Sequence, residues 1–135
     1  MEEIVSAFPN TREDCYYLLG IFFSNVDPML RLLHRGMITR KFEQFVKRTI
    51  ASKGAENTIR EGGHDCFDSL AMAIFFSAAN SMTPKEVTKG FQISKQDLVE
   101  RFKRGTELCL ERDDFLSTDS LETLQAFVIL LVCIP

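Results

Sequence analysis

The sequence predicts an all-α fold of six to seven amphipathic helices, and three observations carry that prediction. Apolar residues recur at helical spacing along most of the chain, and alternation of period two is absent throughout. Helix-start signals punctuate the pattern, the clearest being Thr83-Pro84-Lys85-Glu86. With 135 residues, 45% of them hydrophobic and 26% charged, the chain is long enough for one core and globular rather than disordered in composition.

Residues 1–10 form an N-terminal tail. Thr11, with Asp14 three positions on, is a weak relative of the capping box, and Cys15, Leu18, Leu19, Phe22, Phe23 and Val26 then share one helix face. Asp27-Pro28 reads as a restart: Asp27 as N-cap, Pro28 at the first helical position, where its missing N–H costs nothing. Gly36 is expected to end that short helix in a left-handed conformation. Thr39 caps the next helix, with Phe42, Phe45, Val46, Thr49 and Ile50 inward and Arg40, Lys41, Lys47 and Arg48 outward.

Residues 52–63 have the glycine and polar content of a flexible exposed loop, an insertion rather than a domain boundary. From Asp65 to about Ser81 the apolar residues cover most of a helix circumference, which predicts a central helix. Thr83 and Glu86 then form a capping box around Pro84. Ser94, with Asp97 as its acid, opens a longer helix whose Leu98, Val99, Phe102, Cys109 and Leu110 face inward. Asp119 and Glu122 open a last helix, apolar from Leu124 onward, expected to be buried on most sides.

Charge and cysteine usage narrow the function classes. The formal net charge of -3 argues against attraction of the whole surface to phosphate backbones. Arg31, Arg35, Arg40, Lys41, Lys47, Arg48, Lys53 and Arg60 nevertheless cluster within residues 31–61. Such a block can meet nucleic acid or an acidic partner, but without interleaved aromatic residues a solvated helix face is the better reading. Cys15, Cys66, Cys109 and Cys133 form no Cys-x-x-Cys pair and are spaced too widely for a zinc cluster, so buried thiols in a reducing compartment are expected. Glu2 and Glu3 stand where a secretory leader would carry basic residues, and the longest apolar run, Ala126 to Ile134, is far short of the roughly 20 residues that cross a bilayer. An intracellular protein that does not contact membranes is expected.

Catalytic chemistry finds little footing. His64, Asp65 and Cys66 are adjacent and cannot converge on one point of a helix, so Asp65 reads as a cap rather than a metal ligand. His34, near a helix C-terminus, suits an interaction with free carbonyls better than general-base work. The acidic pair Asp113-Asp114 terminates a helix, and no phosphate loop or nucleophile elbow occurs. The reading is of a non-enzyme, with no cofactor and no metal site in this chain.

Taken together, the segments resemble the fungal-specific transcription factor domain, also called the middle homology or xylanolytic activator regulatory domain, of fungal binuclear zinc-cluster transcription factors. Within "FFSNVDPMLRLLHR", Asn25, Val26, Asp27, Pro28, Leu33 and His34 match the entry motif of that domain, and Arg35 is compatible. "LAMAIFFSAANSMTPKEV" and "ISKQDLVERFKRGTELCLERDDFLSTDSLETLQAFVILL" are similar to its second half in regulators of secondary-metabolism gene clusters, with Leu124, Gln125, Ala126 and Phe127 as the final matching block. Gly36, Met37 and Ile38 depart from the Pro-Thr-Phe usual there.

The resemblance covers residues 11–135 as a partial regulatory domain, the first part of a larger helical unit. It implies a nuclear role in regulating DNA-templated transcription through helix-mediated protein contacts. It also implies zinc and DNA binding only in full-length relatives, since the four cysteines here cannot supply a six-cysteine cluster. The apolar C-terminal helix is the expected surface for a protein partner or for self-association. A free-standing interaction or dimerisation module, or a small-molecule sensor with a Phe-lined apolar pocket (12 Phe, no Trp), is the alternative.

Overall fold

The first helix, α1 (Arg12–Ile21), is capped by Thr11, whose Oγ1 accepts a hydrogen bond from the Asp14 backbone N–H at 3.1 Å. The computed structural model describes residue 9 and residues 11–30, 35–54, 67–112 and 121–133. Beyond α1 the chain does not break and restart at Asp27-Pro28. It passes through a π-helical turn (Phe22–Val26) directly into α2 (Asp27–Leu30), and Asp27 is helical at φ -57° and ψ -39°. The reason lies in Pro28. In an α-helix its ring would meet the carbonyl of Ser24, and it has no N–H to offer. The wider turn, in which the Asp27 N–H bonds to the Phe22 carbonyl five residues back, lets the helix continue past it.

A second correction concerns Gly36 and Thr39. Both lie inside α3 (Arg35–Gly54), so among the described residues Gly36 terminates nothing and Thr39 does not cap. The Thr39 hydroxyl instead donates to the Arg35 carbonyl one turn back, at 2.8 Å. α3 also takes in 52–54, so the polar segment following it begins later than the sequence predicts; 55–63 lie outside the described residues.

Helix α4 (Phe67–Ser81) is the axis of the fold, as its pattern predicts: every side chain from Phe67 to Ala79 is buried. It packs most extensively against α6 (Lys95–Arg112) and α7 (Leu121–Cys133), then against α1, the π turn and α3. Between α4 and α6 lies α5 (Pro84–Phe91), whose capping box is complete. The Glu86 N–H donates to Thr83 Oγ1 at 3.2 Å, and the Thr83 N–H donates to Glu86 Oε1 at 2.9 Å. Gln92 ends α5 in the left-handed region at φ 62°. Ser94 then caps α6, accepting from the Asp97 N–H at 3.1 Å.

The phenylalanines fill the interior by stacking on one another. Phe75 of α4 meets Phe42 of α3 edge-on at 5.6 Å and 74°, Phe45 of α3 at 6.0 Å, and Phe102 of α6 at 5.6 Å. Tyr16 extends the array to α1 through Phe42, and Phe67 joins Phe45. Such pairs add about 0.5–1.5 kcal/mol each beyond burial. One connected ring system therefore ties four helices together.

Candidate interaction surface and cleft

Of the first sequence motif the structure describes Asn25, Val26, Asp27 and Pro28. Asn25 projects from the π turn and its Nδ2 donates to Ser81 Oγ at 3.1 Å, and that hydroxyl in turn donates to the Ala78 carbonyl at 2.8 Å. The motif thus pins the π turn to the C-terminal end of α4. Val26 is buried in the core, Pro28 is exposed, and Asp27 is half-buried with its Oδ1 sequestered and without a hydrogen-bond partner. Arg35 lies over the Phe23 ring at 4.6 Å and fastens the start of α3 to the same turn. Leu33 and His34 lie outside the described residues, as do His64, Asp65, Cys66, Asp113 and Asp114.

The final motif lies on α7, and here the expected burial on most sides is only half met. Thr123, Ala126, Ile129 and Leu130 face the core. On the opposite side Leu124, Val128, Leu131 and Val132 are exposed by 42, 40, 57 and 54%. Their spacing of four, three and one residues places them on one face, with Gln125 and Phe127 half-buried at its margins. From Leu124 to Cys133 the helix carries no charged residue. A contiguous uncharged apolar face of this kind is what helical partners bury against.

The basic block is different in kind. On α3, Arg40 and Lys47 are exposed and Lys41 is half-buried, but Glu43 and Gln44 are exposed among them. Among the described residues of the block, that mixture is what a solvated helix face carries.

A cleft of about 370 Å³ opens where α1, the end of α5 and α6 converge. Phe91, Ile93, Leu98 and Phe102 supply its apolar walls, and Asp14 and Arg101 supply charge. Burial pushes the Arg101 guanidinium below its usual value, desolvation outweighing the upward pull of the Asp14 carboxylate. Nothing in the sequence pattern marks this cleft, because its parts lie far apart in the chain and Gln92 occupies a left-handed position that ordinarily advertises itself as glycine. Among the described residues the interior phenylalanines pack ring against ring.

Among the described residues no group of three or more His, Cys, Asp or Glu side chains could hold a metal ion. Cys15 and Cys109 are buried thiols within the apolar core, an arrangement that does not fit a zinc cluster. No helix among the described residues is long and apolar enough to cross a membrane.

Comparison with known proteins places the chain. Residues 19–134 match the family described as the fungal specific transcription factor domain. The chain is 41% identical over 141 aligned positions, 98% of its length, to the C6 finger domain transcription factor hasF of Aspergillus fumigatus, of which it covers 18%. It is 32% identical to the C6 finger domain transcription factor nscR of Arthroderma gypseum, with 85% of the chain and 15% of the relative aligned. The transcription factor vrtR2 of Penicillium aethiopicum is 26% identical over 93% of the chain and 14% of the relative. The chain therefore spans less than a fifth of the length of these relatives. No solved structure matches it.

Proposed function

The chain belongs to the fungal specific transcription factor domain family, and on that premise we propose that it serves as part of the regulatory domain of a zinc-cluster regulator. In this reading it works in the nucleus, on secondary-metabolism genes, and without catalysis of its own. DNA contact belongs to a zinc-cluster domain that these residues do not contain, and this chain supplies a protein–protein contact.

The observation that carries the proposal is the outer face of α7. Leu124, Val128, Leu131 and Val132 form an uncharged stripe on a helix whose other face is already locked into the core. A helix held rigidly on one side loses little conformational freedom when the other side is covered, so the stripe is preorganised for a second apolar helix. That helix belongs either to the remainder of a full-length regulatory domain or to a second regulator. The same stripe would serve a free-standing module that pairs with full-length regulators.

The test replaces the matching segment of the Aspergillus fumigatus relative with this chain and measures transcription of that regulator's target genes. The chimera is expected to retain regulation, and Val128→Glu with Leu131→Glu to abolish it while leaving protein level and helicity intact. Regulation unaffected by the double substitution would overturn the proposal.

A further inference from the structure

We propose that the groove between α1 and α5 is a docking site for an amphipathic helix of a partner protein that presents one arginine among aliphatic side chains. The inference is independent of the α7 contact, which lies on a different helix.

The groove, of about 570 Å³, is lined by Glu13, Asp14 and Tyr17 of α1 and by Glu86, Lys89 and Gly90 of α5, and most of its exposed lining is apolar. Glu13 and Tyr17 stand one turn apart, as do Glu86 and Gly90, so each helix gives one face to the groove. Tyr17 is exposed yet braced by Phe91 at 6.1 Å, which sets its ring as a wall. Gly90 has no side chain, and a Cβ there would meet nothing within 4 Å, so a partner can come close to the α5 backbone. A trench between two helices with such a lining suits a third helix laid along it.

Charge selects the occupant. Asp14 already acts on the Arg101 guanidinium, so those two together add little net charge. That leaves Glu13 and Glu86 against Lys89, a surplus of one carboxylate. Glu86 accepts from the uncharged Thr83 N–H at 2.9 Å, which holds its carboxylate in place without neutralising it. A single cation is therefore favoured, whereas a polybasic tract meets Lys89 and an anion meets the carboxylates.

The apolar lining then selects among cations. A lysine ammonium is a compact, strongly hydrated charge that gains little from carbon surface. An arginine lays its methylene stem on that surface, stacks its planar guanidinium on Tyr17, and meets a carboxylate with forked donors. The groove is larger than one such side chain, and aliphatic neighbours one helical turn away fill the remainder.

The experiment titrates the chain with a capped, alanine-based helical peptide carrying one arginine with a leucine one turn to either side, followed by backbone amide NMR. Parallel peptides carry lysine, or uncharged citrulline, in place of the arginine. Saturable shifts are expected at Glu13 to Tyr17 and at Glu86 to Gly90, weakening as salt is raised. The citrulline peptide should bind about tenfold more weakly and the lysine peptide about threefold more weakly. Glu13→Gln should weaken the arginine peptide about fivefold and leave the citrulline peptide unchanged, and Tyr17→Leu should erase the preference for arginine over lysine. Both altered side chains are exposed, so the rest of the spectrum should be retained. The proposal is overturned by no saturable binding of the arginine peptide, by equal binding of the citrulline peptide, or by binding indifferent to Glu13→Gln and Tyr17→Leu. It is equally overturned by shifts centred on Leu124 and Val128 of α7, or by groove shifts that grow with the chain's own concentration, which would make a second copy the occupant.

Discussion

Replacing Phe75 by leucine tests the ring system at its centre. Phe75 is fully buried on α4 and makes three ring contacts, two to α3 through Phe42 and Phe45 and one to α6 through Phe102. Leucine retains most of the apolar burial but forfeits all three pairs, each worth about 0.5–1.5 kcal/mol. Because the pairs share one ring they are not additive, and a net loss of about 2–4 kcal/mol is expected. Against a total stability of about 5–15 kcal/mol for a single domain, that is a large fraction but leaves a folded population to measure. Urea denaturation followed by circular dichroism reads it as a lowered midpoint at unchanged slope. Tyr17→Leu is the control: Tyr17 is 47% exposed and among the described residues meets one ring, Phe91, at 6.1 Å, so its loss should stay below about 0.5 kcal/mol. A Phe75→Leu cost under about 0.5 kcal/mol, or a Tyr17→Leu cost equal to it, would refute the reasoning.

Three further substitutions probe local structure by the same denaturation assay. Asp27→Ala should leave stability unchanged or raise it by up to about 1 kcal/mol, because it removes a sequestered oxygen without a partner inside a continuous helix; as an N-cap its loss would cost about 1 kcal/mol. Thr83→Ala should cost about 1 kcal/mol, since it dismantles a complete capping box, whereas Thr39→Ala should cost under about 0.5 kcal/mol because Thr39 sits inside α3. Gln92→Gly should stabilise by about 0.5–1 kcal/mol, relieving a left-handed residue at the end of α5 despite the added freedom of the unfolded chain.

Much of this fold was legible because its signals are local. The start at Thr83-Pro84-Lys85-Glu86 is read from four consecutive residues, and the structure forms both of its hydrogen bonds. The central position of α4 follows from apolar residues around most of its circumference, and every side chain from Phe67 to Ala79 is buried. Asp27-Pro28 misled because the same pair suits an N-cap and a π turn; Pro28 is carried past by the wider turn, and the tether from Asn25 that holds this turn against α4 reaches Ser81, a partner distant in sequence. Gly36 misled in the opposite way. A glycine ends a helix only where the chain must turn, and the run from Arg35 continues helical through it. On α7 the near-uniform hydrophobicity concealed which face is inward, since a helix apolar all round carries no direction of its own. The cleft was illegible altogether, because Asp14 and Arg101 come together only when α1 and α6 are packed.

Sedimentation of the chain, unaltered and with Val128→Glu and Leu131→Glu, tests the outer face of α7 most directly when each is mixed with a full-length zinc-cluster regulator of this family. Both substituted side chains are exposed, so the helical signal and melting of the folded chain should persist. The unaltered chain is expected to sediment with itself or with the regulator, and the double substitution to return it to a monomer. A chain that remains a monomer and ignores the regulator, or an association that survives both glutamates, would contradict the claim that this stripe is a contact surface.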